Sequence, residues 1–199
     1  MKILLLYTPR SGSTSILKYF QKLKPNYECF NEPWFEWMVK NVHKNEIQYL
    51  DLISKNNIFV KSAYKTLPVS LETIVKDFDK IIILLRKNHK EQVESSILTH
   101  KEQNFLNHKP RKYNIYNINN SEFEEASDRY MFLNETIGNF ALKNNLPIFY
   151  YEDLYYGDFT PLFNELNIEY DMEQYDAYLN VSNKYRIGDV SNKTINTLL

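Results

Sequence analysis

The segment Thr8-Pro9-Arg10-Ser11-Gly12-Ser13-Thr14 combines one fixed cation, Arg10, with the hydroxyls of Ser11, Ser13 and Thr14 and a single glycine, Gly12. It lies between a short apolar run and an amphipathic stretch, where a chain leaves a strand and enters a helix. A helix N-terminus presents unpaired N–H groups and the positive end of its dipole to an anion. Gly12 lets the backbone approach closely, the hydroxyls add donors, and Arg10 adds charge. Ser and Thr also favour ordinary helix caps, but the cation and the buried strand ahead of it favour anion binding. A second cationic point follows at Arg86-Lys87, at the end of the apolar run KIIILL. Nucleotide triphosphatases place a magnesium-binding Asp at that point, and their loop opens with a glycine that is missing here. Cations in the place of a metal ligand imply a second anionic group, bound without metal. Ser95, on the helix that follows, lies within reach of that group. The four His are scattered without ligand spacing, so no metal site is expected.

The elements that must carry these residues are legible from periodicity. Continuous apolar runs at Ile3–Tyr7, Ile58–Lys61, Lys80–Arg86 and Pro147–Tyr151 read as strands buried on both faces. Helical patterns cover Ser13–Leu23, Trp34–Ser54, Val69–Phe78, His89–Gln103 and Ser121–Asn144. Strands alternating with helices imply a parallel sheet with right-handed crossovers and helices on both faces. Lys109–Asn120 (KPRKYNIYNINN) has no period; we expect a mobile loop over 105–120.

The chain has 199 residues and a formal net charge of −1, so no basic excess draws it to nucleic acid or anionic membrane. One cysteine, Cys29, excludes a disulfide framework and fits a reducing compartment. The N-terminal apolar run is too short for a signal peptide, and no stretch is long enough to span a membrane. A cytoplasmic location is the expectation. Only four glycines occur, against roughly fourteen at average usage.

With these segments in place the chain resembles the sulfotransferases that use 3′-phosphoadenosine 5′-phosphosulfate (PAPS), most closely in motif style the bacterial and Golgi carbohydrate branches. TPRSGST is similar to their 5′-phosphosulfate loop, with Arg as in those branches. LRKNHKEQVES resembles the 3′-phosphate segment R-N-P-x-x-x-x-x-S; Lys87 takes the Arg slot, Arg86 stands one place earlier, and His89 replaces the Pro. YYEDL at Tyr150–Leu154 resembles the Y-E-D segment whose Tyr lies near the adenine, which maps to Tyr151. KYRIGDVSN resembles the C-terminal loop that closes over the 3′-phosphate. Lys184, Gly188, Asp189 and Asn192 match, Arg186 is an added cation, and Val190 stands for the Trp. These matches span residues 8 to 192 in the family's order. The aromatic that often follows the loop Thr is Ser15 here, so adenine packing must differ.

The resemblance implies one P-loop-type α/β domain over 1–199, with a cofactor-closing loop over 182–193. It implies PAPS as cofactor, PAP as product, no metal, and a small-molecule or carbohydrate acceptor that receives a sulfuryl group on a hydroxyl or amine. Such a transfer needs a base for the acceptor proton. No His follows Lys61-Ser62-Ala63, where the cytosolic branch carries its base. Phe30-Asn31-Glu32-Pro33-Trp34 instead resembles the F-E-P-L-W segment of carbohydrate sulfotransferases, which makes Glu32 the expected base. Arg10 would stabilise charge on the sulfuryl and the leaving phosphate, with Lys61 adding to it. The cofactor set is then Arg10, Ser11, Gly12, Ser13, Thr14, Arg86, Lys87, Ser95, Tyr151, Lys184, Arg186 and Gly188. A metal-dependent, kinase-like phosphotransferase and a non-catalytic nucleotide-binding module stay open as alternatives. Acceptor identity and oligomeric state are not legible.

Overall fold

The computed structural model describes residues 1–34, 45–101 and 118–169. Its centre is β1 (Lys2–Tyr7), whose five residues from Ile3 to Tyr7 are all buried. A strand so apolar must be covered on both faces, and it is. Side chains alternate across a strand, so Ile3, Leu5 and Tyr7 pack with Ile16, Leu17 and Phe20 of α1 (Ser13–Leu23). Leu4 and Leu6 pack on the other face with Ile137, Phe140 and Ala141 of α5 (Asn120–Lys143). Full burial of each such aliphatic side chain stabilises the fold by roughly 1.5–3 kcal/mol.

The other strands are β2 (Glu28–Asn31), β3 (Ile58–Ala63), β4 (Lys80–Leu85) and β5 (Ile148–Tyr150), in the spatial order β2-β3-β1-β4-β5. Every pairing is parallel. Between them run α2 (Asn45–Ser54), α3 (Leu71–Asp77) and α4 (His89–Lys101), with α6 (Tyr151–Tyr155) and α7 (Thr160–Glu165) after β5. All five strands point the same way, so the segments that leave their carboxyl ends gather along one edge of the sheet. Ligands bind there in open α/β sheets.

Several boundaries differ from the sequence expectations for identifiable reasons. β2 is absent from the pattern because it has four residues, lies at the sheet edge, and is polar at both ends. Of the helix expected over Trp34–Ser54, Asn45–Ser54 is helical and Trp34 lies in a turn behind Pro33; 35–44 fall outside the described residues. α3 starts two residues late because Ser70 caps it, accepting from the Thr73 N–H at 3.3 Å. α5 starts where a capping box places it: Asn119 accepts from the Glu122 N–H at 2.8 Å, and the Asn119 N–H donates to Glu122 at 3.3 Å. Tyr151, expected as the last residue of a strand, opens α6 instead. Among the described residues, no helix is long and apolar enough to cross a membrane.

Candidate functional site

The Thr8–Gly12 loop leaves β1 and enters α1 through two residues in the left-handed region. Gly12, at the helix N-cap, has φ 80°, and Arg10 has φ 70°. Five non-glycine residues among those described carry positive φ. Three are asparagines (Asn57, Asn145, Asn167), which tolerate it, and the other two are Arg10 and Glu32. Strain held at non-glycine, non-asparagine positions is characteristic of functional sites. Both residues were singled out by the sequence.

The loop is held from below and from the side. Gln92 of α4, fully buried, donates to Thr8 Oγ1 at 3.0 Å and to the Pro9 carbonyl at 2.9 Å, and accepts from Asn134 at 3.0 Å. Tyr155 of α6 donates to the Gly12 carbonyl at 2.7 Å. Ser11 is fully buried and its Oγ has no hydrogen-bond partner; Ser13 is buried and Thr14 half-buried. Gln92→Leu keeps the volume and orphans the Pro9 carbonyl and the Asn134 amide. We expect a loss of about 1–3 kcal/mol in urea unfolding, with no change in the slope against denaturant.

Ser95 and the 86–88 segment meet this loop. Arg10 Nε donates to Ser95 Oγ at 2.9 Å, and Arg86 Nη1 donates to the Arg10 carbonyl at 3.2 Å. The rest of the Arg86 fork is engaged too, with Glu91 at 2.5 Å and Glu152 at 3.3 Å, and its guanidinium lies 4.6 Å from the Tyr151 ring centre. Its side chain is only 10% exposed. Lys87 is different: its side chain is half-exposed and pairs at 2.5 Å with Asp153, equally exposed. Exposed pairs of that kind contribute about 0.2–1 kcal/mol, so a ligand carrying more charge displaces one readily. Arg86 is thus enclosed by protein partners, whereas Lys87 lies half in water, with its ammonium also 5.0 Å from the Tyr150 ring centre.

A second cluster forms at the ends of β1, β2 and β3. Glu32 follows β2, and its backbone N–H donates to the Lys61 carbonyl at 2.7 Å. Its Oε1 accepts from Lys61 Nζ at 3.1 Å and from the Tyr7 hydroxyl. Lys61, 2% exposed, also donates to Asn31 at 2.9 Å, and its ammonium lies 4.6 Å from the Tyr7 ring centre. Burial pulls the Lys61 ammonium below its ordinary pKa, and the Glu32 carboxylate opposes that. Burial first, then the charge and hydrogen bond of Glu32, push the Tyr7 phenol well above its ordinary value. Tyr7 therefore stays protonated and donates. The Ser13 side chain, in the first turn of α1, opposes that rise.

Arg10, Ser11, Gly12, Ser13, Thr14, Arg86, Lys87, Ser95 and Tyr151 thus gather at the ends of β1, β4 and β5, with Glu32 and Lys61 beside them. Lys184, Arg186 and Gly188, the closing loop over 182–193, and most of the 105–120 loop lie outside the described residues. Tyr7, Gln92, Glu152 and Tyr155 were not anticipated. Tyr7 had one available signal: a polar-tipped aromatic at the last position of the central strand, next to the loop.

No family model and no curated protein matches this sequence. Among solved structures the chain is similar to shikimate kinase from Bacteroides thetaiotaomicron, with TM-score 0.47, 13% identity, and coverage of 92% of this chain and 95% of that one. It is also similar to mouse sulfotransferase SULT7A1 complexed with PAP, with TM-score 0.52, 14% identity, and coverage of 91% of this chain and 63% of that one. The chain therefore spans less than two thirds of the sulfotransferase's length. At this identity the likeness concerns the fold alone: a P-loop-type, all-parallel sheet flanked by helices.

Proposed function

We propose that the chain, read as one domain over 1–199, is a sulfotransferase that moves a sulfuryl group from PAPS to a hydroxyl or amine of a small-molecule or carbohydrate acceptor. The observation that carries this reading is the direct link between its two anion-binding segments, Arg10 Nε to Ser95 Oγ at 2.9 Å. This contact sets the 8–14 loop beside the 86–95 segment, so one ligand with two anionic groups, such as a 3′,5′-bisphosphorylated nucleoside, can reach both. The orphaned, buried Ser11 Oγ fits such a ligand, since an unsatisfied hydroxyl costs free energy that an anion's oxygen would recover.

PAPS supplies the activated sulfuryl group. Arg10, the first-turn N–H groups of α1 and the hydroxyls of Ser13 and Thr14 hold the 5′ end and stabilise charge on the leaving phosphate. Lys87 and Ser95 take the 3′-phosphate, with Lys184, Arg186 and Gly188 completing that end by resemblance. Glu32 removes the acceptor proton. Its Oε1 is engaged by Tyr7 and Lys61, which leaves Oε2 to receive that proton. Tyr151 stands beside the nucleotide end. The wider reading includes a cytoplasmic location and no metal requirement.

Calorimetry with PAP, AMP and Mg²⁺-ATP tests the reading. It requires PAP to bind far more tightly than AMP, because each charge-assisted contact to the 3′-phosphate contributes about tenfold. Preference for Mg²⁺-ATP over PAP would establish the phosphotransferase alternative instead.

A further inference from the structure

Glu152 accepts three hydrogen bonds, all from one stretch of three residues. Its Oε2 takes the Lys87 N–H at 2.8 Å, and its Oε1 takes the Asn88 N–H at 3.0 Å and Arg86 Nε at 3.3 Å. Successive backbone N–H groups that converge in this way form an anion-binding nest, and here the anion is the protein's own carboxylate. The helix that carries Glu152 also reaches the other anion segment, through Tyr155 to the Gly12 carbonyl at 2.7 Å. Arg86 closes the ring, from Glu152 to the Arg10 carbonyl at 3.2 Å. α6 therefore straps the 8–12 loop to the 86–88 segment.

We propose that Glu152 is the positioning residue that sets selectivity for a 3′-phosphorylated nucleotide. This rests on the reading of the site as a 3′,5′-bisphosphate site. Glu152 does not touch the ligand. It fills the backbone nest, so those amides do not bind phosphate, and it fixes the main chain of Lys87 so that this side chain and Ser95 present the 3′-phosphate contacts. A glutamine cannot do the same. Its amide nitrogen would face an N–H donor at one arm of the fork.

The test compares Glu152→Gln, Tyr155→Phe and the wild type by calorimetry with PAP and with AMP. Glu152→Gln should reduce the PAP-to-AMP affinity ratio by about tenfold, the worth of one charge-assisted contact, while AMP affinity holds. Tyr155→Phe, which loosens only the 5′ loop, should weaken both ligands alike and leave the ratio unchanged. An unchanged ratio in Glu152→Gln overturns the proposal, as does equal weakening of both ligands. A rise in PAP affinity overturns it too, by showing that the carboxylate merely occupies the phosphate's place. A wild type without PAP preference instead removes the bisphosphate reading itself. Should Glu152→Gln fail to fold, amide hydrogen exchange in the wild type decides. Lys87 and Asn88 amides must be protected in the free protein and with AMP, and exchange at the rate of open loop amides sinks the idea.

Discussion

Glu32→Gln is expected to lower turnover by about 100- to 10,000-fold, the usual worth of a positioned general base, while PAP affinity stays at the wild-type level. The substitution keeps the shape and removes the proton acceptor. It also replaces one member of a cluster in which Lys61 Nζ donates to Asn31 and to Glu32 Oε1, and Tyr7 donates to the same Glu32 oxygen. The Gln carbonyl can still accept from Tyr7 and Lys61, so the fold should hold even as the proton has nowhere to go. The measurement is PAP release from PAPS across a panel of hydroxylated acceptors, beside calorimetry with PAP. A variant that turns over at the wild-type rate with PAP still bound would take the base role away from Glu32.

Gly12→Ala is expected to cost both stability and nucleotide binding. At φ 80° any L-residue is strained, by roughly 1–2 kcal/mol for the left-handed helical conformation. Space is a second obstacle. A Cβ at position 12 would stand 2.6 Å from the Tyr155 ring, well inside contact distance. That ring is not free to swing: it stacks on Tyr151 with centroids 4.4 Å apart, meets Phe159 edge-on at 5.0 Å, and holds the Gly12 carbonyl through its hydroxyl. Relieving the clash breaks the hydrogen bond that shapes the loop. We expect a lowered urea midpoint, and PAP and AMP both weakened by about tenfold or more, as for the loss of a charge-assisted contact. Gly12→Ala/Tyr155→Ala should lose less stability than the two single changes summed, because the clash is absent from the double variant.

The two clusters of the site differ in how legible they were, and the reason is their construction. TPRSGST is one continuous turn between one strand and one helix. Its chemistry is written in seven adjacent residues, and the buried strand before it is plain from the run of Ile and Leu. The parallel sheet and its helices followed from the same periodicity. Tyr7, Glu32 and Lys61 meet only because β1, β2 and β3 lie side by side in parallel register, with Asn31 opposite Lys61 and Tyr7 opposite Ala63. A four-residue edge strand with no apolar run gives no warning of that alignment. Glu152 shows the same limit: two of its three partners are backbone N–H groups some sixty-five residues away in sequence, and backbone groups leave no trace in residue identity. Arg86 and Lys87, adjacent and interchangeable on paper, separate in space because one is enclosed by Glu91, Glu152 and the Arg10 carbonyl while the other lies half in water.

The glycines sharpen in the same way. A chain with only four has one at the N-cap of α1, where the backbone conformation and the Tyr155 ring both exclude a side chain. Arginine is nearly as scarce, with five in the chain. Arg10 and Arg86 stand in the 8–14 loop and at the end of β4, joined through the Arg10 carbonyl.

The most direct measurement is a crystal structure of the protein with PAP. The account predicts the 5′-phosphate on Arg10 and the first-turn N–H groups of α1, the 3′-phosphate on Lys87 and Ser95, and Glu32 facing the 5′ end across Tyr7 and Ser13. PAP bound away from the 8–14 loop, or bound there with its 3′-phosphate turned to solvent and clear of Lys87 and Ser95, would contradict it.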